Sequence, residues 1–179
     1  MCGKTDGRLV HDHAELGELL RQLITALEAN DVARTYPLLD LFWARLAVHI
    51  RAEHLHLFPA ISHAVSCSFP VRSDQVPSAG EQEKVIEQLR DDHNFFMHEL
   101  AQAVAVTRGL LATVRPDVAE QLREIRKRVD IVQDRLIKHN QIEETGIYLW
   151  TRSLLSEAEQ SELAALINKE LENTPPRFG

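Results

Sequence analysis

The sequence predicts an all-α protein, an up-down-up-down four-helix bundle with a short fifth helix at its C-terminal end. Two observations support this fold class. Glycine and proline, with seven residues each out of 179, are too rare for a turn-rich β protein. Apolar residues recur at spacings of three, four and seven over four long segments, which is the period of an amphipathic helix. At this length we expect a single domain, residues 1–179, with one core.

The first half of the chain contains two predicted helices and a loop. The first helix runs from Leu9 to about Glu28 and ends at an Asn-Asp break. The second helix is expected to carry Pro37 in its first turn, where a missing backbone N–H costs nothing, and to continue towards Val65. Residues 66–80 contain two prolines, a glycine and several serines, so they are predicted to form the main loop.

The second half of the chain repeats this pattern and adds a helix. The third predicted helix covers residues 81–113 and ends before Pro116, because the residue before a proline is disfavoured in a helix. The fourth helix continues to about Trp150. A capping-box pattern that starts at Ser156 opens a fifth helix over residues 156–172, and the tail after it should be irregular. Long helices with shorter connections favour the up-down-up-down arrangement.

Charge and cysteine content exclude several classes of protein. The net charge of −7 provides no basic field for a nucleic acid backbone, so no nucleic acid partner is expected. The two cysteines, Cys2 and Cys67, form no CxxC motif, which argues against a disulfide scaffold or a thiolate zinc site. No signal peptide or membrane-length apolar segment is visible, so we expect a cytoplasmic protein without a membrane partner.

Polar residues interrupt the apolar faces of all four long helices, where core residues are expected. Each helix contributes one histidine, and the second and fourth helices add a glutamate four residues later. The six positions are His13, His49, Glu53, His93, His139 and Glu143. Residues four apart lie one above the other on the same helix face. Two ligands from one helix can therefore reach a shared centre.

The pattern repeats within the chain. Residues 9–20 align with residues 89–100, and residues 49–58 align with residues 139–148, with the histidines and glutamates in register. Two similar helix pairs related by a pseudo-twofold axis would bring all six polar residues to one level of the bundle. The repeat therefore predicts one central site rather than six unrelated substitutions.

Two buried carboxylates beside four imidazoles require a compensating cation, because each isolated buried charge costs several kcal/mol at least. A divalent metal removes that cost. A mixed set of imidazoles and carboxylates favours iron or manganese, with zinc possible. Two carboxylates from opposite helices can bridge a pair of ions. Such a pair retains room for an oxo or hydroxo bridge and for an exchangeable small ligand.

The order His13, His49-x-x-x-Glu53, His93, His139-x-x-x-Glu143 resembles the hemerythrin and HHE cation-binding domains, as does the Leu-Phe-Pro sequence that follows Glu53. The resemblance covers residues 9–150. It implies a four-helix bundle that holds two non-haem iron ions with an oxo or hydroxo bridge. It also implies that the two glutamates bridge the irons and that O2 or NO reaches an open position.

The chain differs from the oxygen-carrying members of that family in its third helix. Those members have a His-x-x-x-His pair there, whereas the residue four positions after His93 is Met97. The ligand set is more similar to the bacterial regulatory, iron-handling and nitrosative-stress members. His98 is rotated too far from His93 to replace the missing ligand. Glu144 is expected at the surface or beside the site, and His56 is expected in the core, although either could contact the metal.

Three functions fit the sequence. The first is a metal-binding protein that binds or senses O2, NO or iron at a di-iron centre. The second is an enzyme that uses the same centre to handle NO or peroxide or to support iron–sulphur repair. The third is a helical interaction module with a purely structural metal. The sequence favours the first function, names no protein partner and does not set the oligomeric state.

Overall fold

The computed structural model describes residues 5–67, 76–112 and 116–173, and within these ranges the protein is all-helical, without a β-strand. The α-helices in chain order are α1 (Thr5–Glu28), α2 (Val32–Ala52), α3 (Phe58–Cys67), α4 (Ala79–Ala112), α5 (Val118–Ile142), α6 (Tyr148–Leu154) and α7 (Glu157–Glu172). Two π-helical segments, π1 (Glu53–Leu57) and π2 (Glu143–Ile147), join α2 to α3 and α5 to α6. The all-α prediction is confirmed.

The four long helices α1, α2, α4 and α5 pack in a closed ring: α1 on α2, α2 on α4, α4 on α5 and α5 on α1. The shorter helix α3 packs on α4 and α6. The C-terminal helix α7 lies against α1, α2 and π1. This packing is consistent with the predicted four-helix arrangement, and it gives the four long helices one shared interior.

Three residues connect α1 to α2, and their conformation corrects the predicted position of Pro37 in the second helix. Asn30 has φ 54°, a left-handed conformation that asparagine tolerates better than most residues, and it ends α1. The side chain of Asp31 then accepts a hydrogen bond from the backbone N–H of Arg34 and caps α2. Because this cap starts α2 at Val32, Pro37 lies in the second turn of the helix and not in the first.

The other helix boundaries agree closely with the sequence. Ser156 and Glu159 form a complete capping box at the start of α7, which confirms that prediction. Helix α1 begins at Thr5, one turn before the predicted start. Of the loop predicted over residues 66–80, residues 66 and 67 belong to α3 and residues 79 and 80 to α4. Residues 68–75, 113–115 and the predicted irregular tail from 174 onwards lie outside the described residues.

Two clusters of buried apolar residues fill the interior. One lies between the four long helices and includes Leu20, Phe42 and Val129. The other includes Leu89, Phe58 and Ile167 and joins the beginnings of α1 and α4 to α3, α6 and α7. On each long helix the predicted site residues fall between members of the two clusters, so a polar layer separates them. No described helix has the length and apolar content needed to cross a membrane.

Candidate metal centre

The structure brings the six sequence-predicted residues together in one buried layer. His13 is 7% exposed, the other three histidines are 2% exposed, and both glutamates are fully buried. Their ligand atoms form two groups, each of four atoms within 4.8 Å of one another, that could hold a metal ion. The six residues are His13, His49, Glu53, His93, His139 and Glu143. The structure thus shows the juxtaposition, and the role of these residues as metal ligands stays a prediction.

We call the first group the His13/His49 position. His49 Nε2 lies 3.3 Å from Glu53 Oε1, and His13 Nε2 lies 3.2 Å from Glu143 Oε2. The two Nε2 atoms of this group are 3.2 Å apart. Each glutamate therefore places one of its two oxygens at this position.

The second group, the His93/His139 position, receives the other two oxygens. His93 Nε2 lies 3.3 Å from Glu53 Oε2, and His139 Nε2 lies 3.1 Å from Glu143 Oε1. The two Nε2 atoms of this group are 2.9 Å apart. Glu53 and Glu143 consequently span the two positions, with one oxygen towards each, as carboxylates that bridge two ions do.

All four carboxylate oxygens of Glu53 and Glu143 are buried, and although a histidine Nε2 lies 3.1–3.3 Å from each of them, no N–H or O–H group is aligned to donate a hydrogen bond to them. A buried carboxylate without hydrogen bonds is costly, because burial removes the water that would solvate it. The neighbouring Nε2 atoms do not resolve this cost if they present lone pairs, since lone pairs repel the oxygens. A cation between nitrogen and oxygen would satisfy both, so the donor atoms fit a metal at each position.

Two aspartates orient the imidazoles of the histidines on α2 and α5. His49 Nδ1 lies 2.8 Å from Asp12 Oδ2, and His139 Nδ1 lies 3.2 Å from Asp92 Oδ2. A carboxylate only accepts hydrogen bonds, so each ring donates through Nδ1, and a neutral ring then has its lone pair on Nε2. This arrangement is the one that metal-binding histidines use.

Arginines hold the two aspartates in turn. Arg45 donates to Asp12 over 2.6 Å and to Glu15 over 2.8 Å. Arg135 donates to Asp92 over 2.6 Å. The chain Arg-Asp-His therefore occurs twice, once in each half of the site. Burial opposes the charged form of Asp12, but His49 first and Arg45 next hold the pKa of this carboxyl below its ordinary value, so its carboxylate stays ionised.

The remaining two histidines are held from the π-helical segments, and here the halves differ. His13 Nδ1 lies 2.9 Å from Glu144 Oε1, whereas His93 Nδ1 lies 2.9 Å from His54 Nε2. Glu144 and His54 each follow directly after a glutamate of the site. Glu144 is therefore a residue beside the site, as the sequence favoured, and a carboxylate in one half is replaced by an imidazole in the other.

Both π-helical segments begin at a glutamate of the site. The backbone N–H of Phe58 donates to Glu53 O, and that of Tyr148 donates to Glu143 O, which is the i to i+5 pattern of a π-helix. The extra residue in each turn changes the direction in which the following side chains leave the helix. π-Helical segments occur often at functional sites, and this pair extends the internal repeat from the side chains to the backbone.

The glutamates and histidines of this layer strongly affect one another's pKa values. Burial opposes an ionised Glu53, but the facing His49 outweighs burial and holds the pKa of this carboxyl well below its usual range. Burial likewise opposes a charged His49, yet Glu53 and Asp12 raise its pKa well above the ordinary value. The pKa of His139 is raised in the same way, against burial, chiefly by Glu143. The layer attracts positive charge, which protons or metal ions can supply.

Two aromatic rings close the layer. Phe58 stacks on His93 with ring centres 6.1 Å apart, and Tyr148 stacks on His13 at 6.0 Å. The Tyr148 hydroxyl lies 3.3 Å from His13 Nε2. Burial, followed by the charge of Glu143, raises the pKa of Tyr148 well above its usual value. The site therefore has a protonated hydroxyl in one half and only an apolar ring in the other.

The other residues that the sequence left open lie away from the six. His56 is partly buried and faces Glu170 on α7, with 3.9 Å between Nε2 and the carboxylate. His98 is exposed and bonded to Gln102 at 2.6 Å. His11 is exposed beside Glu15. His54 lies outside the apolar face of its helix and orients His93 by its contact with Nδ1 of that ring.

Sequence reasoning missed Asp12, Asp92, Arg45 and Arg135 as supports of the site. A signal was present, because each pair occupies equivalent positions of the internal repeat, and the two aspartates directly precede His13 and His93. Comparisons of the chain with protein-family models, with curated proteins and with solved structures find no match.

Proposed function

We propose that this chain is a hemerythrin-like protein, an up-down-up-down four-helix bundle that holds two iron ions and binds or senses O2, NO or iron at that centre. One observation supports the proposal above all others. Glu53 and Glu143 each direct one oxygen to each pair of histidines, and none of these oxygens has a hydrogen-bond partner. This donor set matches a metal pair bridged by two carboxylates.

The protein's own groups would supply four donor atoms per ion, two imidazole nitrogens and two carboxylate oxygens. Mixed nitrogen and oxygen donors suit iron, with manganese or zinc as alternatives. Bound iron would supply a redox-active centre that can take a diatomic ligand. Six-coordinate ions would keep positions free for an oxo or hydroxo bridge and for that ligand.

The surrounding residues prepare the site for this role. The two apolar clusters on either side exclude water from the layer. Asp12 and Asp92 orient their histidines through Nδ1, and Arg45 and Arg135 donate hydrogen bonds that hold the two aspartates in place. A buried set of ligands with open coordination positions would suit a small neutral molecule.

Metal analysis of protein produced with iron in the medium tests the proposal. We expect about two iron ions per chain. Glu143→Ala removes a donor from both positions and should reduce the content well below one, whereas His49→Ala removes a donor from the His13/His49 position only and should reduce it to about one. Well under one iron per chain in the unaltered protein would contradict the proposal.

Absorption spectra separate the proposal from its alternatives. We expect the iron-loaded protein to change its visible spectrum on reduction with dithionite and again on addition of NO. Steady consumption of NO or peroxide under reducing conditions would favour the enzyme. Chelation that unfolds the chain, combined with a spectrum that no small ligand perturbs, would favour a structural metal in an interaction module.

A further inference from the structure

The two metal positions differ at one equivalent pair of residues, His54 and Glu144. Each follows a glutamate of the site, lies in a π-helical segment and contacts Nδ1 of the histidine on a facing helix at 2.9 Å. The corresponding contacts of the other two histidines are alike, because both use an aspartate. His54 and Glu144 thus occupy equivalent places with the same contact distance, but one is an imidazole and the other a carboxylate.

The difference decides which nitrogen of the facing ring carries the proton. Glu144 can only accept a hydrogen bond, so a neutral His13 must donate through Nδ1 and present a lone pair on Nε2. His54 can accept or donate. When His54 donates through Nε2, the neutral His93 ring carries its proton on Nε2, which is the atom that faces Glu53. Such a ring must exchange tautomers before it can bind a metal.

The negative charge of Glu144 next to the His13 ring also favours metal binding at the His13/His49 position. A carboxylate partner makes an imidazole a stronger ligand, and partners of this kind change metal affinity about 10- to 100-fold. The Glu144 side chain is 41% exposed, so water screens part of its charge. The tautomer effect does not depend on that screening.

We propose that the two positions bind metal in order, with the His13/His49 position first and more tightly, and that His54 and Glu144 set this order. The inference rests on the proposed function, because it requires that both positions hold metal. Its consequence is a chain that holds one ion at low metal supply and completes the pair only at higher supply. A protein that responds to iron availability would use such a step.

Cobalt(II) titration of the metal-free protein with crystallography tests the order. Two neighbouring cations repel each other, so even equivalent positions would bind in two steps. The location of the first ion is therefore the decisive result. With one equivalent of cobalt, we expect anomalous scattering at the His13/His49 position, with at least about tenfold less at the other.

Matched exchanges at the two positions test the cause. His54→Glu should tighten binding at the His93/His139 position and reduce the preference about tenfold. Glu144→His should weaken metal binding at the His13/His49 position, which also reduces the preference of the first ion for that position. Both changes are at partly exposed residues, and Glu124→Gln, on the exposed face of α5, is the control that should leave the order unchanged.

Two outcomes would overturn the inference while leaving the proposed function intact: two bound ions with the first at the His93/His139 position, or a preference that neither exchange alters. Absence of cobalt and iron from both positions would instead contradict the proposed function, and this inference with it. Metal content measured on each variant separates the two cases.

Discussion

The part of the interior formed by α1, α2 and π1 and the part formed by α4, α5 and π2 are built from the same elements in the same order. Each has an aspartate-histidine pair, an arginine, a His-x-x-x-Glu sequence and a π-helical segment that begins at the glutamate. They differ where His54 corresponds to Glu144 and where Phe58 corresponds to Tyr148. The shared residues form the buried polar layer, and the differing residues surround it.

This division shows how a repeated structure can give two unequal positions. The six residues of the layer must be matched, because each glutamate serves both positions at once. The residues behind the layer serve one position each. A change there can alter the affinity or the ligand of one ion while leaving the shared carboxylates in place.

Removal of a bridging glutamate should give the largest effect and should be the same in both halves. Glu53→Ala and Glu143→Ala each remove one donor from both positions, so we expect the iron content to fall from about two per chain to well below one. Glu124→Ala, at an exposed carboxylate on α5, should retain the full content. Iron quantitation after desalting provides the measurement. Loss of only one ion in either glutamate variant would show that the carboxylates do not serve both positions.

The aspartates should give a smaller and nearly symmetric effect. Asp12→Asn and Asp92→Asn keep the shape of the side chain but remove the charge that supports His49 and His139. We expect metal affinity to fall about 10-fold to 100-fold in each case, as measured by competition with a chelator. The shorter contact of Asp12, 2.8 Å against 3.2 Å, predicts the larger loss for its variant. Unchanged affinity in both variants would mean that the aspartates serve only as partners of the arginines and do not support the histidines.

The histidines of the two halves should give the metal-free protein the same dependence on pH. The pKa values of His49 and His139 are raised above the ordinary value of 6.5, chiefly by the glutamates against burial. Their stabilising contribution is therefore complete below pH 6.5 and is lost as the pH rises through the raised values. The free energy of unfolding of chelator-treated protein should fall as the pH increases above neutrality.

The metal-loaded protein provides the control for that dependence. Bound cations replace the protons on these histidines, so its stability should not fall over the same range, and metal uptake should release protons. Denaturant titrations at several pH values compare the two forms. Stability of the chelator-treated protein that rises with pH above neutrality would contradict the assigned directions.

The two aromatic positions should give the smallest effect, confined to small ligands. Among the described residues, the Tyr148 hydroxyl has His13 Nε2 as its hydrogen-bond partner. A metal on that nitrogen would leave the hydroxyl to donate to a ligand in the layer. Tyr148→Phe should weaken azide binding to the ferric protein about fivefold without changing the iron content. Phe58→Tyr is the matched variant and should not weaken it. Equal azide affinity in all three proteins would show that the Tyr148 hydroxyl does not donate to the bound ligand.

Much of the architecture follows from the sequence because helical periodicity records which side chains are buried. The six polar interruptions were visible for the same reason, and the structure brings them together. The π-helical segments were not predicted, since one extra residue in the hydrogen-bond pattern barely changes the apolar spacing around Glu53 and Glu143. Glu144 was expected beside the site, but Asp12 and Asp92 were missed as partners of the imidazoles, because they act across helices and only the fold shows which ring each one contacts.

The most direct test of the central claim is a crystal structure of the iron-loaded protein, with the metals located by anomalous scattering at the iron edge. We expect two ions in the buried layer, one bound by His13 and His49 and the other by His93 and His139. Glu53 and Glu143 should each bind both ions through separate oxygens. A single ion, or iron found only at surface carboxylates with the layer empty, would contradict the account.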